Sequence, residues 1–177
     1  MSFLAPEQIL KQLHIKEGAR IADFGAGAGH LALLLAKKVG SDGRIYAIDV
    51  QKELLGRLHN DAKSMKLTNI DTLWLDLESH KGTGLKEKSM DIVMLANILF
   101  QINDKRVLIR EAKRILKSGG QALVVDWSDS FDNTGPRPEM LASPSSVEKL
   151  FTEEGFVLSR VIEAGSHHYG RIFVLPV

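Results

Sequence analysis

Residues 20–31 read Arg20-Ile21-Ala22-Asp23-Phe24-Gly25-Ala26-Gly27-Ala28-Gly29-His30-Leu31, and the fold follows from them. Arg20–Phe24 has the makings of a short buried strand, and His30–Val39 of a helix closed by Gly40-Ser41-Asp42-Gly43. Between the two, glycines at alternate positions permit a sharp turn and let a ligand lie on backbone N–H groups at a helix start. Asp49 ends the next strand, Ile45–Asp49, 20 residues after Gly29. A carboxylate at that place can accept hydrogen bonds from both hydroxyls of a ribose. Asp76 follows the third strand, Ile70–Leu75, as a partner for an adenine amino group, so three carboxylates share one rim. Glycines that only make a tight turn, with Asp49 only capping the next helix, are the plainer alternative. The glycines, the spacing and the strand context together outweigh it.

Farther out the alternation continues. Pro6–Leu13 and Lys52–Met65 carry apolar residues at helical spacing, and Asp76–Met90 is a polar loop. Asp91–Ala96 is almost continuously apolar, as a parallel strand covered on both faces should be. Asp104 caps a helix expected to reach Lys117, and Ser118-Gly119-Gly120 leads into the strand Gln121–Asp126. Ser143-Pro144 starts a last helix ending at Gly155. Phe156–Ala164 and Arg171–Val177 then form an antiparallel hairpin around Gly165-Ser166-His167-His168-Tyr169. Strand–helix alternation of this kind makes an α/β protein with a mostly parallel sheet, read here as one domain over residues 1–177.

Composition narrows the function. The 177 residues hold 23 basic and 22 acidic side chains, a net charge of +1, which gives no footprint for nucleic acid or a membrane surface. Cysteine is absent, which removes disulfides, thiolate metal sites and cysteine nucleophiles together. Met1 to Leu13 lacks the basic start and apolar run of a signal peptide, and the longest apolar stretch, Leu31 to Ala36, falls far short of the ~18 residues of a membrane span. A cytoplasmic protein is expected, with no metal site and with the oligomeric state, homo-oligomer included, left open.

Asp23 to Gly29 resembles the first motif of class I S-adenosylmethionine-dependent methyltransferases, and Ala47-Ile48-Asp49 the second. The resemblance continues through Leu75-Asp76-Leu77, Asp91–Ala96 and Arg114 to Gly120, and covers nearly the whole chain. Within the class it is most similar to the quinone-biosynthesis C-methyltransferases. It implies a Rossmann-like, doubly wound seven-stranded sheet of order 3-2-1-4-5-7-6 with strand 7 antiparallel, and S-adenosyl-L-methionine as cofactor. It also implies that Gly25, Gly27 and Gly29 lie against the methionine moiety, Asp49 on the ribose, and Asp76 and Leu77 at the adenine. Asp23, Ala26, Val50 and Asn97, beside these positions on the same rim, complete the expected cofactor set. A dehydrogenase also fits Gly27-Ala28-Gly29-His30-Leu31-Ala32, but an acidic Asp23 beside the turn suits a cationic sulfonium compound better than a pyrophosphate.

Methyl transfer from a sulfonium needs alignment above all, and a base only when the acceptor arrives protonated. His30, His167, His168 and Tyr169 are the candidates for catalysis at the crevice, with the alternative that the hairpin histidines are simply exposed polar residues. Asp126 has no convincing partner carboxylates for a metal. No motif of base or glutamine amino-methylases is present, so a small-molecule acceptor is expected and a nucleic acid is not. A non-catalytic cofactor-binding regulator of the same fold is the rival reading. Ser128–Ser143, a long polar connection leaving the crevice, is expected to be a mobile flap on the substrate side.

Overall fold

A computed structural model describes residues 6–79, 82–130 and 135–177. The strands β1 (Arg20–Phe24), β2 (Arg44–Asp49), β3 (Ile70–Trp74), β4 (Met90–Ala96), β5 (Leu116–Trp127), β6 (Val157–Glu163) and β7 (His168–Val174) form one sheet in the order β3-β2-β1-β4-β5-β7-β6. Pairing is parallel from β3 across to β5, and β7 runs antiparallel to both β5 and β6. The expected topology is thus the observed one. The order reverses between β1 and β4, and a crevice opens at such a switch point beyond the carboxyl ends of the strands.

Helices α1 (Pro6–Lys11), α2 (His30–Val39) and α3 (Lys52–Ser64) lie on one face, where Ile9, Leu31, Leu35, Val39 and Leu58 pack with Ile21, Ile45 and Met94. Helices α4 (Lys105–Ile115) and α5 (Pro144–Glu153) cover the other, through Leu108, Ile109, Ile115, Val147 and Phe151. Phe151 stacks on Phe173 of β7 with ring centroids 4.2 Å apart, which fixes α5 over the antiparallel end of the sheet. The caps read from sequence form: Asp104 accepts from the Arg106 N–H and Ser143 from the Ser146 N–H.

Three differences from the sequence reading bear on the site. Helix α4 stops at Ile115, because Leu116 already pairs with Met90 of β4 and Gly119 donates its N–H to Leu175 O. A 3₁₀ turn, Leu99–Gln101, follows β4 where no element was expected. Strand β7 begins at His168, not Arg171, because His168 and Tyr169 pair with Trp127 and Asp126 of β5. The long connection after β5 starts with Ser128 N–H bonded to His167 O, and Ala142 near its end is buried. Residues 131–134, within the Ser128–Ser143 stretch expected to be a mobile flap, lie outside the described residues.

Two glycines of the turn are required by close packing. A Cβ on Gly25 would stand 2.7 Å from Ile98 Cδ1, and one on Gly29 would stand 2.3 Å from Leu58 Cδ1, both at positive φ. Gly29→Ala should therefore destabilise the protein by about 2–4 kcal/mol, from overpacking and a left-handed backbone together. Urea unfolding measures this, and pairing the change with Leu58→Ala should cost less than the sum of the two single losses.

Candidate functional site

Beyond the carboxyl ends of β1, β2 and β4 lies a cavity of about 490 Å³, a size suited to a nucleotide-like ligand. The turn after β1 forms its floor. Asp49, buried at the end of β2, fixes that floor from the side: Oδ2 accepts the Gly27 N–H at 2.8 Å and Oδ1 the Gln51 N–H at 2.8 Å. Asp49 thus holds the chain where it enters α3, while the helix itself begins at the N-cap Gln51 with no side-chain cap. Each carboxylate oxygen also keeps a second lone pair for a ligand hydroxyl.

Of the cofactor residues expected from sequence, Asp23, Gly25, Ala26, Gly27, Asp49, Val50, Asp76, Leu77 and Asn97 all line the cavity. Gly29 does not: it is buried against Leu58 and precedes the first turn of α2, so its place in the motif is one of packing. Asp76 is exposed, and one of its oxygens accepts the Glu78 N–H at 2.9 Å. Val50 is about half exposed, and Trp74 on the edge strand donates from Nε1 to Val50 O. Gln51, Glu78, Gln101 and Ile102 line the cavity too, and sequence reasoning missed them. They come from a helix cap, a polar loop and an unexpected 3₁₀ turn, none with a spacing that marks it. The polar Gln51 and Glu78, each two residues beyond a strand-end carboxylate, were the nearest to a readable signal.

The electrostatics of the cavity call for a cation. Asp23 is 2% exposed, and burial together with the Asp49 charge pushes its carboxyl up to about 7. Asn97 holds a left-handed backbone at φ 54°, and its Oδ1 is buried with no hydrogen-bond partner. A buried acceptor without a donor costs about 1–3 kcal/mol. An ammonium or sulfonium group entering here would restore the Asp23 charge, and an ammonium would also give Asn97 its missing donor.

The candidates for catalysis separate. His30 is exposed and lines the cavity. His167, His168 and Tyr169 lie beyond β5, three strand spacings or about 14 Å from β1, and do not line it. Only His167 remains in the hairpin turn, with Nδ1 2.7 Å from Asp129 Oδ1. The reading of His168 and Tyr169 as turn residues is corrected, since pairing with β5 buries both. His168 packs against Trp127 in a tilted pair with ring centroids 4.3 Å apart, and burial, followed by the Asp126 charge, pushes the Tyr169 phenol well above its ordinary range. A phenol so placed is a poor base.

The methyltransferase-domain family matches the chain over residues 15–173. The chain is 34% identical over 118 residues to the ubiquinone/menaquinone biosynthesis C-methyltransferase UbiE of Stenotrophomonas maltophilia, covering 65% of this chain and 45% of that protein. With the same enzyme of Xylella fastidiosa it is 30% identical over 118 residues, covering 64% and 44%. The chain thus spans less than half the length of these curated relatives. Among solved structures, a SAM-dependent methyltransferase from Aquifex aeolicus superposes with a TM-score of 0.87 at 28% identity, over 98% of this chain and 90% of that one.

Asp23 yields a prediction with a definite sign. Its folded pKa of about 7 lies above the ordinary 3.8, so the folded protein binds a proton that the unfolded chain does not between those values. The stability due to this group is complete below pH 4 and is lost as the pH rises through 7. Asp23→Asn should therefore raise stability at pH 8 by roughly 2–4 kcal/mol, a tenfold change in proton affinity being worth about 1.4 kcal/mol, and leave it nearly unchanged at pH 4. Urea titrations at the two pH values measure the difference.

Proposed function

The chain belongs to the methyltransferase-domain family, and from that premise we propose that it transfers the methyl group of S-adenosyl-L-methionine to a small-molecule acceptor. The observation that supports this most is the cation-seeking end of the cavity, where the buried Asp23 and the unsatisfied Asn97 Oδ1 meet the glycine turn. S-adenosylmethionine fits the residues present. Asp23 and Asn97 take its ammonium end, Asp49 accepts from the ribose hydroxyls, and Asp76, with Val50 and Leu77 beside the base, accepts from the adenine amino group. When bound, the cofactor supplies a methyl group on a cationic sulfur, an electrophile with a good leaving group. The chain's own part is to hold the donor end at the β1–β4 switch point and to present the acceptor beyond β4 and β5.

For an acceptor that arrives protonated, His167 is one candidate base, at the hairpin turn and outside the cavity lining. The Nδ1 of His167 lies 2.7 Å from Asp129 Oδ1, a contact that orients the ring. His30, at the cavity rim, is the second candidate. The quinone-pathway name of the two curated relatives makes an electron-rich ring carbon the first acceptor to test. No helix among the described residues is long and apolar enough to cross a membrane.

Calorimetric titration with S-adenosylmethionine tests the cofactor assignment without knowing the acceptor. Asp49→Ala should weaken binding about ten- to a hundredfold, through the lost ribose bonds and the loosened Gly27. Asp49→Asn, which keeps one acceptor oxygen, should fall between. Wild-type affinity in Asp49→Ala would defeat the ribose assignment. His167→Ala should leave affinity within about twofold while lowering transfer to a protonated acceptor. Transfer itself is followed with methyl-labelled cofactor and quinol-type ring compounds, then a metabolite extract. Tight cofactor binding with no labelled product in either would favour the regulator over the enzyme.

A further inference from the structure

We propose that Asp126 is a positioning residue for the cofactor cavity, its buried carboxylate holding the backbone of residues 98–102 against the glycine turn. Asp126 stands at the end of β5 with no exposed surface and does not line the cavity. Its Oδ2 accepts the Leu99 N–H at 2.8 Å and its Oδ1 the Trp127 N–H at 2.8 Å, and the Phe100 N–H donates to it as well. Leu99 and Phe100 open the 3₁₀ turn, so the carboxylate takes up N–H groups the turn cannot satisfy itself. At the other end, Lys105 Nζ donates to Ile102 O at 2.9 Å. An anion at the start of the segment and a cation at its end both favour its peptide dipoles.

The segment so clamped is a wall of the cavity. Ile98, Gln101 and Ile102 line it, and Ile98 lies so close to Gly25 that a Cβ there would force the isoleucine to shift. Gln101 Nε2 returns to Asn97 O at 3.0 Å, steadying the residue whose Oδ1 lacks a partner. One backbone segment thus separates Asp126 from the donor end of the site. Holding a charge at full burial is costly, and burial pushes Asp126 up to about 6 against the pull of the three N–H groups. Leucine or valine would fill the place without that cost but would leave the N–H groups of Leu99 and Phe100 unpaired.

The cofactor part of the test rests on the proposed S-adenosylmethionine reading; the backbone part does not. Asp126→Asn keeps the shape but turns an amide donor toward N–H donors. In hydrogen exchange, the Leu99 and Phe100 amides of this variant should lose about tenfold or more of their protection relative to the rest of the sheet. In calorimetry, S-adenosylmethionine affinity should fall about tenfold. Leu108→Ala, a core change on the same face, serves as the control compared at matched stability, and should leave affinity within about twofold. Equal affinity losses in the two variants, or wild-type protection of the two amides in Asp126→Asn, would overturn the proposal. Should Asp126→Asn fail to fold, Lys105→Ala releases the other end, with affinity expected to fall about threefold; unchanged affinity there would count against the clamp. A wild-type protein that binds no S-adenosylmethionine would instead refute the cofactor reading, and the amide protection would still decide the clamp.

Discussion

The Asp49 carboxylate holds two chain segments in one geometry. By accepting from Gly27 and Gln51 together, it joins the turn after β1 to the start of α3. Neither junction could keep its shape with those N–H groups unpaired at the rim of a buried sheet. The charge has a second effect. It lies close enough to Asp23 to add to the burial that keeps that carboxyl protonated near neutrality. The same interaction that makes the cavity floor rigid therefore leaves its inner end short of positive charge, and a cationic ligand supplies what the protein lacks.

The sheet places this arrangement at its switch point. Helices α2 and α3 follow β1 and β2 on one face, and α4 follows β4 on the other, so the chain leaves the β1–β4 boundary in opposite directions. The gap is filled by small residues and by Ile98, which crosses over Gly25. A methyl group in place of either glycine hydrogen at Gly25 or Gly29 would force a side chain from the opposite element to move. The tightness of the turn is thus set by packing as much as by ligand access.

The far side of the crevice has a different character. Strand β7 enters antiparallel, and its first two residues complete the ladder with Trp127 and Asp126. That pairing buries His168 and Tyr169 and leaves His167 at the turn with Asp129. The β5–β7 side of the crevice is therefore built from an imidazole in contact with Asp129, an aromatic pair and the start of a long connection, while the β1–β4 side is built from backbone and carboxylates.

The sheet, the glycine turn and the strand-end carboxylates can be read from the order of residues alone, because each depends on near neighbours. Alternating strand and helix patterns set the topology, and residues at the ends of successive parallel strands meet on one rim whatever their side chains do elsewhere. Asp23, Asp49 and Asp76 were legible for that reason. Gln101 and Ile102 were not, since a 3₁₀ turn of three residues has no period, and it forms where Asp126, 27 residues away, accepts its N–H groups. Gly29 looked like a ligand contact, and only the approach of Leu58 from α3 shows that its work is packing. His168 and Tyr169 carried turn composition yet became strand, because the ladder with β5 outweighs local preference. Local pattern fixed which residues could reach the crevice, and long-range pairing decided which of them are buried, which are held, and which line the cavity.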